Sequence, residues 1–389
     1  MKVQFQSGFH AQCREGFEPE LAVEFGALAQ KNHSAVLGTL STTEPFPSGW
    51  VKAVTRSGYA SFVFNSTVPP LARPGSRALR NMVFPRQMFF QLAHVRDLPE
   101  EKKADPLAQA IVEILGTEPV PSFALEAGAG PEILLEAPDT NDGKELLAFC
   151  RTFGPHLKRA LVKALAAAKM PAPAATIHVF FTGWRECTVG LALPRISSPS
   201  AQGILRLRFP GDAPSRSTLK LEEAFLTLLN TRQQETLLSP GLTAVDLGAS
   251  PGGWTYQFTQ REMHVVAVDN GNMDPALLAT GLVEHRREDG FRFRPRKPVM
   301  WMVCDMVEQP VRVARLAADW IREGQASHTM FNLKLPMKAR YAEVERCLST
   351  AREALEASGV AHLLRARHLY HDREEVTCYL GLSEARPNR

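Results

Sequence analysis

Four charged residues, far apart in the chain, are hard to explain by packing: Lys220, Asp305, Lys334 and Glu375. Asp305 closes the apolar run Val299-Met-Trp-Met-Val-Cys, and Lys334 closes Thr329-Met-Phe-Asn-Leu. A lysine at the end of a buried strand is unexpected, because Lys is almost never fully buried without a partner. Lys220 falls in the first turn of an amphipathic helix, where the helix dipole disfavours a cation. Glu374 and Glu375 open the last apolar run. Each has a plain reading. Lys334 could reach solvent past Pro336, Lys220 could be an exposed lysine, and the glutamates could be a solvated strand start. Gathered together, they would form a general base for an alcohol nucleophile. Repulsion between the amines and partial burial would lower a lysine pKa toward neutrality, and the carboxylates would hold the amines in place.

Between the first two of these residues lies Thr243-Ala-Val-Asp-Leu-Gly-Ala-Ser-Pro-Gly-Gly-Trp254. It reads as strand, tight turn and helix start, with glycines at 248, 252 and 253 that let backbone approach a ligand. The next strand, Val265-Val-Ala-Val-Asp269, ends in a carboxylate 23 residues after Asp246, an offset that suits a ribose diol. The glycine spacing is not the G-x-G-x-x-G pattern that cradles a pyrophosphate, and Asp246 is expected to point a carboxylate into the site. S-adenosylmethionine has an amino-acid head, a sulfonium charge and a ribose but no phosphate, so it suits such a loop. Other nucleotide sites, and a merely tight βα turn, share the pattern.

These residues need a scaffold. From Ile204 onward, β and α patterns alternate, which implies a parallel sheet with helices on both faces. Strands are expected at Thr243–Leu247, His264–Asp269, Leu282–Arg287, Val299–Asp305 and His328–Leu335. Helices are expected at Thr218–Asn230, Pro310–Glu323 and Tyr341–Ser358. An antiparallel pair, His362–Tyr370 and Glu375–Leu382, closes the sheet. In such sheets chemistry sits outside the carboxyl ends of the strands, where Asp269, Asp305 and Lys334 fall.

The first 203 residues read as two α+β units, 1–100 and 101–203. The first has a helix at Glu20–Lys31, strands at Ala35–Leu40, Gly49–Val54, Ala60–Phe64 and Arg86–His94, and a turn-rich loop at Pro69–Gly75. The second has a helix at Leu107–Leu115, a loop at Glu118–Gly130, helices Lys144–Thr152 and His156–Lys169 split at Gly154-Pro155, and strands Thr176–Thr182 and Glu186–Leu193. Ile196–Gln202 reads as the linker to the third domain, 204–389.

The chain has 389 residues, 44% of them hydrophobic, with a net charge of only +4, so whole-chain charge does not announce a nucleic-acid binder. Its distribution says more. Pro45 to Arg96 has no acidic residue yet holds Lys52, Arg56, Arg73, Arg77, Arg80, Arg86 and Arg96. A second cluster is Arg286, Arg287, Arg292, Arg294, Arg296 and Lys297. Either run could be a solvated face. The phenylalanines among them favour a phosphate-tracking surface with stacking platforms. Six cysteines form no C-x-x-C pair, which argues against zinc, and no other metal is expected. No apolar leader or membrane span is seen. The expectation is a cytoplasmic protein with reduced thiols, taken to be a monomer.

The order Lys220, Asp305, Lys334, Glu375, with Asp-Leu-Gly-Ala-Ser-Pro-Gly-Gly after the first, resembles the K-D-K-E tetrad of the FtsJ/RrmJ-like ribose 2′-O-methyltransferases. Further matching stretches are Ala213–Phe225, Pro251–Tyr256, Val268–Gly271, Arg287–Phe291, Trp301–Met306, Phe331–Lys338 and Leu369–Thr377. They are similar to the bacterial branch that modifies a cytidine of 23S ribosomal RNA, over about residues 204 to 380. The resemblance implies a Rossmann-like S-adenosylmethionine-dependent domain, preceded by a ferredoxin-like segment and a THUMP RNA-binding domain. It implies that Ser217 and Ser250, Pro251, Gly252 and Gly253 contact the cofactor. It gives Asp269 the ribose hydroxyls, Asp289 the adenine end, and Asp305 the methionine portion and reacting centre. Lys334 would be the proton acceptor, supported by Lys220 and Glu375, the glutamate that directly precedes the strand Val376-Thr-Cys-Tyr-Leu. Ser250 is a departure, since relatives can carry Ala or Cys there, but a small side chain is kept. The substrate would be 23S rRNA or a pre-ribosomal particle. The competing class is a non-catalytic RNA-binding assembly factor on the same scaffold, against which an intact tetrad argues. Base methylation of the Asn/Asp-Pro-Pro-Tyr type is disfavoured by the run Asp305-Met-Val-Glu.

Overall fold

The structure, a computed structural model, describes residues 1–37, 50–64, 77–117 and 130–383. The chain forms two compact units, Met1–Ile204 and Leu205–Arg389.

In the first unit, seven strands among the described residues form one sheet: β1 (Lys2–Gln12), β2 (Trp50–Arg56), β3 (Tyr59–Phe64), β4 (Gln87–Arg96), β5 (Ile133–Glu136), β6 (Ile177–Gly183) and β7 (Glu186–Ala192). Their order is β2-β3-β1-β4-β7-β6-β5. All neighbours are antiparallel except β5 and β6. The two N-terminal segments read separately from the sequence therefore share a sheet through the β4/β7 ladder. The helices are α1 (Glu18–Leu37), α2 (Arg77–Arg80), α3 (Ala104–Gly116) and α4 (Gly143–Ala167).

Several local expectations are corrected here. Strand β1 was not expected, yet it lies inside the sheet between β3 and β4. Its polar residues hid it: His10 and Gln12 are buried, and the register with β4 shifts between Phe5 and Gly8, so apolar alternation is broken. His10 is accommodated by stacking between Tyr59 and Phe89, at 5.1 and 4.6 Å, and by a 3.0 Å hydrogen bond with Ser61. Burial, with His178 and His94 nearby, pushes its pKa down to about 3. Residues 35–37, expected to start a strand, belong to α1; the rest of that run, the Pro69–Gly75 loop, Arg73 and residues 118–129 lie outside the described residues. Helix α4 runs unbroken through Pro155. Its buried stripe of Leu146, Cys150, Phe153, Leu157, Leu161 and Leu165 keeps helical spacing across the proline, so burial of that face overrides the local breaker. Ile196–Gln202 is not a free linker. Ser198 N–H donates to Gln87 Oε1 at 2.9 Å, Gln87 Nε2 donates to Ser198 O at 3.0 Å, and Gln202 N–H donates to Glu136 Oε1 at 2.5 Å.

Among the described residues, the second unit has seven strands: β8 (Thr243–Leu247), β9 (His264–Val268), β10 (Val283–Arg286), β11 (Val299–Cys304), β12 (Ala326–Lys334), β13 (His362–Arg367) and β14 (Glu375–Leu382). Its helices are α5 (Thr218–Leu228), α6 (Thr231–Leu237), α7 (Gly253–Thr259), α8 (Pro275–Ala279), α9 (Pro310–Arg322) and α10 (Arg340–Glu356). The strand order is β10-β9-β8-β11-β12-β14-β13, with β10 through β12 parallel and β14 antiparallel to both neighbours. From β8 the chain winds one way to β9 and the other way from β11 to β12. Right-handed crossovers then put α7 and α9 on opposite faces. The expected helix Thr218–Asn230 stops at Leu228 because Asn230 caps a new helix, α6, reciprocally with Gln233.

One face packs Leu221, Ala224 and Phe225 of α5 with Phe258 of α7 against Trp301, Met330 and Tyr379 of the sheet. Phe225 and Trp301 ring centroids are 5.7 Å apart. This cluster seats the first turn of α5, and hence Lys220, over the strand ends.

Gly190 shows how tight the first unit is. A Cβ there would lie 2.3 Å from Phe90 O and 2.5 Å from the Phe89 ring. Gly190→Ala should therefore destabilise the protein by about 1–3 kcal/mol through overpacking, seen as a lower midpoint in urea unfolding.

Candidate active site

In the second unit the order of strands reverses between β8 and β11, and the crevice beyond the carboxyl ends at such a point is where ligands bind in open α/β sheets. Asp305 follows β11, Lys334 ends β12, and Glu375 begins β14. Because β14 is antiparallel, its first residue lies at the same edge as the last residue of β12, and Lys334 and Glu375 are direct register partners. Lys220, from the first turn of α5, completes the group.

The four side chains converge. Lys220 Nζ donates to Asp305 Oδ2 at 3.1 Å and to Glu375 Oε2 at 2.8 Å. Lys334 Nζ donates to Glu375 Oε2 at 2.6 Å and also to Asp305 Oδ1. Two cations and two anions thus alternate around a ring that is less than a quarter exposed at every member.

The electrostatics correct one expectation. Mutual repulsion was expected to lower a lysine pKa. For Lys220, burial does oppose the charge, but Asp305 and Glu375 outweigh it and raise its pKa above the ordinary value. Burial likewise works against ionised Asp305, but Lys220 and Lys334 hold its carboxyl below the usual range. Attraction at hydrogen-bond distance exceeds the repulsion between amines that share the same two acids.

Asn332 was missed by the sequence reading. Its Nδ2 donates to Asp305 Oδ1 at 3.0 Å and to Glu375 Oε2 at 3.1 Å. The signal was available: Asn332 is two residues before Lys334 on one strand, hence on the same face. Glu223 was missed too. It is 3% exposed and accepts from the backbone N–H of Tyr370 and His371 at 2.8 and 2.9 Å, and bonds the His371 ring at 2.6 Å. It ties the loop before Glu375 to the helix that carries Lys220.

The glycine loop lies against α5. Gly252 has φ +120°, and a Cβ on Gly253 would come within 2.1 Å of Ser217 Oγ. Ser217 Oγ pairs with Ser215 Oγ at 2.6 Å. A Cβ on Gly248 would meet Met306 Cγ at 2.6 Å, and one on Gly290 would meet Met306 Sδ at 3.0 Å. The β8 turn and the Asp289 turn therefore both abut the residue after Asp305. Asp269 is engaged by the loop itself, accepting from Ser250 N–H at 3.0 Å and Gly271 N–H at 2.6 Å. Each oxygen keeps a further lone pair for a ligand. Ser250 Oγ donates to Asn272 O at 2.8 Å, and Pro251 O accepts from Asp274 N–H at 3.0 Å. Asp289 accepts from Phe291 N–H at 2.8 Å and is exposed. Asp246 does not point into an open site as expected. It is 1% exposed, and its Oδ2 accepts from Thr255 Oγ at 2.7 Å. Its Oδ1 has no hydrogen-bond partner, and burial pushes its pKa up to about 7.

Among the described residues no cluster of His, Cys, Asp and Glu could hold a metal ion, and no helix is long and apolar enough to cross a membrane. All six cysteines are free and buried.

The charge ring sets a pH dependence of stability. The depressed Asp305 contributes stability that is fully present above the ordinary value of 3.8 and is lost as pH falls through its lower folded value. The raised Lys220 contributes below 10.5 and loses that contribution as pH rises through its higher folded value. Asp305→Asn should therefore lose melting temperature less steeply than the wild type as pH drops below about 4, which calorimetry across that range would read.

Comparisons agree with this architecture. Residues 213–357 match the model of the FtsJ-like methyltransferases, and residues 117–193 match that of the N-terminal region of ribosomal RNA large subunit methyltransferase M. The curated ribosomal RNA large subunit methyltransferase M of Methylococcus capsulatus (strain Bath) is 45% identical, over 95% of this chain and 97% of the relative. Those of Azoarcus sp. (strain BH72) and Shewanella halifaxensis are 43% and 42% identical, over 97% and 96% of this chain and 97% and 98% of their own lengths. With an FtsJ-like fold and such similarity along nearly its whole length, the chain belongs to the ribosomal RNA large subunit methyltransferase M family.

Proposed function

We propose that this protein transfers a methyl group from S-adenosylmethionine to the ribose 2′-OH of a cytidine in 23S rRNA, either free or within a pre-ribosomal particle. The observation that carries the reading is the ring of Lys220, Asp305, Lys334 and Glu375 beside the glycine loop, at the carboxyl edge of an FtsJ-like sheet.

The loop suits the cofactor. Gly252 and Gly253 leave backbone where a Cβ would collide, and Asp269 retains lone pairs for ribose hydroxyls. Ser217, Ser250, Pro251, Gly252 and Gly253 would line it, Asp269 would take the ribose, Asp289 the adenine end and Asp305 the methionine portion. Bound there, S-adenosylmethionine supplies a methyl group already activated by a positive sulfur.

The chain's own residues supply the rest. Lys334 must first release its ammonium proton to solvent; as the neutral amine it then accepts the 2′-OH proton as the oxygen attacks. Lys220, whose charge Asp305 and Glu375 favour, stays bound to both carboxylates and keeps them aimed at Lys334. General-base help of this kind is worth about 10²- to 10⁴-fold.

The RNA would be gripped by the first unit, read as a ferredoxin-like segment (1–100) and a THUMP domain (101–203), and by Arg286–Lys297. In the latter, Arg287, Arg292, Arg294, Arg296 and Lys297 are exposed, and Arg312 lies 4.6 Å from the Phe291 ring centroid. A cytoplasmic monomer fits this task.

Two outcomes test the reading. Lys334→Ala should lower methyl transfer to unmodified 23S rRNA by about 10²-fold or more while S-adenosylmethionine affinity, by calorimetry, changes little. Normal turnover would remove Lys334 from the mechanism, and no transfer by the wild type would favour a non-catalytic assembly factor. Arg292→Ala combined with Arg296→Ala should weaken RNA binding and lessen its salt dependence, by roughly one unit of slope for each phosphate that is no longer neutralised.

A further inference from the structure

Behind the charge ring runs a second line of polar groups. Asn332 and Thr377 are register partners on β12 and β14, one step inward from Lys334 and Glu375 on the same face. Thr377 Oγ lies 2.7 Å from Asn332 Oδ1, 3.0 Å from Asp372 Oδ1 and 3.1 Å from Asp372 Oδ2. Asn332, Thr377 and Asp372 are each completely buried.

The protons can be assigned from chemistry. Asn332 must turn its NH₂ toward Asp305 and Glu375, since its oxygen would repel two carboxylates. Its Oδ1 then needs a donor, and the Thr377 hydroxyl is in place. That hydroxyl has one proton, so once it is given to Asn332, the contact between Thr377 and Asp372 needs a proton from Asp372. Asp372 Oδ2 already accepts from the N–H groups of Leu369 and Thr377, at 3.0 and 3.2 Å. Oδ1, the carboxyl oxygen nearer to Thr377 Oγ, is placed to carry the proton.

We propose that Asp372, held as the neutral acid, drives a one-directional hydrogen-bond chain through Thr377 and Asn332 that fixes Asp305 and Glu375 in the orientation that receives Lys334. These three are positioning residues: none belongs to the ring, and they act through its carboxylates. The inference rests on the methyl-transfer reading of the ring. Burial favours the neutral acid and pushes the Asp372 pKa up to about 8, against the pull of Lys220 and with the help of Glu375. Charged or titratable groups facing it include Lys220 on α5 and Glu375 and Cys378 on β14. Once Asp372 ionises, it competes for the Thr377 proton, and Asn332 loses its donor.

The test is single-turnover methyl transfer to unmodified 23S rRNA from about pH 6 to 9.5, with wild type and Lys334→Ala in parallel. Thr377→Val should lower the rate at least ~10-fold, part of the general-base contribution, with RNA KM unchanged, and Thr377→Ser should restore it. Asp372→Asn keeps a donor toward Thr377, so it should keep near-normal activity at pH 7 and lose the decline seen in the wild type above about pH 8. A second readout needs no cofactor. A carboxyl whose folded pKa is raised contributes stability at low pH that is lost as pH rises toward about 8. The melting temperature of Asp372→Asn should therefore gain on the wild type across that range. Full activity in Thr377→Val, a Thr377→Ser as slow as Thr377→Val, or an inactive but folded Asp372→Asn overturns the proposal. If Thr377→Val does not fold, Thr377→Ser and Asp372→Asn decide it. An inactive wild type, or an active Lys334→Ala, would instead strike the methyl-transfer reading, so the two failures are distinct.

Discussion

Four charges that neutralise one another at the rim of a sheet are the constraint around which the second unit is arranged. None of Lys220, Asp305, Lys334 and Glu375 could stay so little exposed alone, because an unpaired charge out of water costs several kcal/mol. Together they demand strict placement. β12 must run on past the end of β11, whose last residue Cys304 pairs with Phe331, β14 must run antiparallel so that Glu375 enters at the same edge, and α5 must bring its first turn over that edge. The aromatic cluster of Phe225, Phe258, Trp301 and Tyr379 holds the helix there. Glu223 then fastens the loop before Glu375 to the same helix.

The ring is balanced, and that bears on how a base can work in it. A lysine flanked only by other amines would be a standing base, but here each amine shares two carboxylates. The resting state is a closed ion network, with Lys220 more firmly protonated than a free lysine. Under the proposed methyl transfer, reactivity belongs to the ring with its ligands in place. This agrees with a site that has little use for a free base in the absence of RNA, and with the narrow turn where Gly248, Gly253 and Gly290 permit close backbone approach.

Much of this was legible in the residue order. The alternation after Ile204 revealed the doubly wound sheet, since buried parallel strands are continuous apolar runs and their ends are marked by Asp269, Asp305 and Lys334. Lys334 stood out because lysine is costly where a strand is buried. The first unit was harder. Strand β1 carries buried His10 and Gln12 and a register shift, so period-two patterning fails although the strand is internal. α4 conceals its continuity behind Pro155, and its stripe is seen only when Leu146 to Leu165 is read as one face. The stretch before Ile204 looked like a linker because its small polar residues are those of loops, yet Gln87 and Glu136 bind it down.

The residue order alone marked the charged groups that packing does not explain and placed Asp305 and Lys334 at strand ends, Glu375 at a strand start and Lys220 in the first turn of a helix, because burial periodicity and the cost of a charge are local properties that can be read along a chain. It could not determine the sign of the balance between amines and acids. That depends on distances of about 3 Å between residues up to 155 positions apart, and at such distances attraction to a carboxylate exceeds repulsion from a neighbouring amine. Nor could it disclose Asn332, Thr377 and Asp372 as a connected line. Their relation comes from the register of β12 against β14 and from a loop folded back beneath them, and only the tertiary structure decides both.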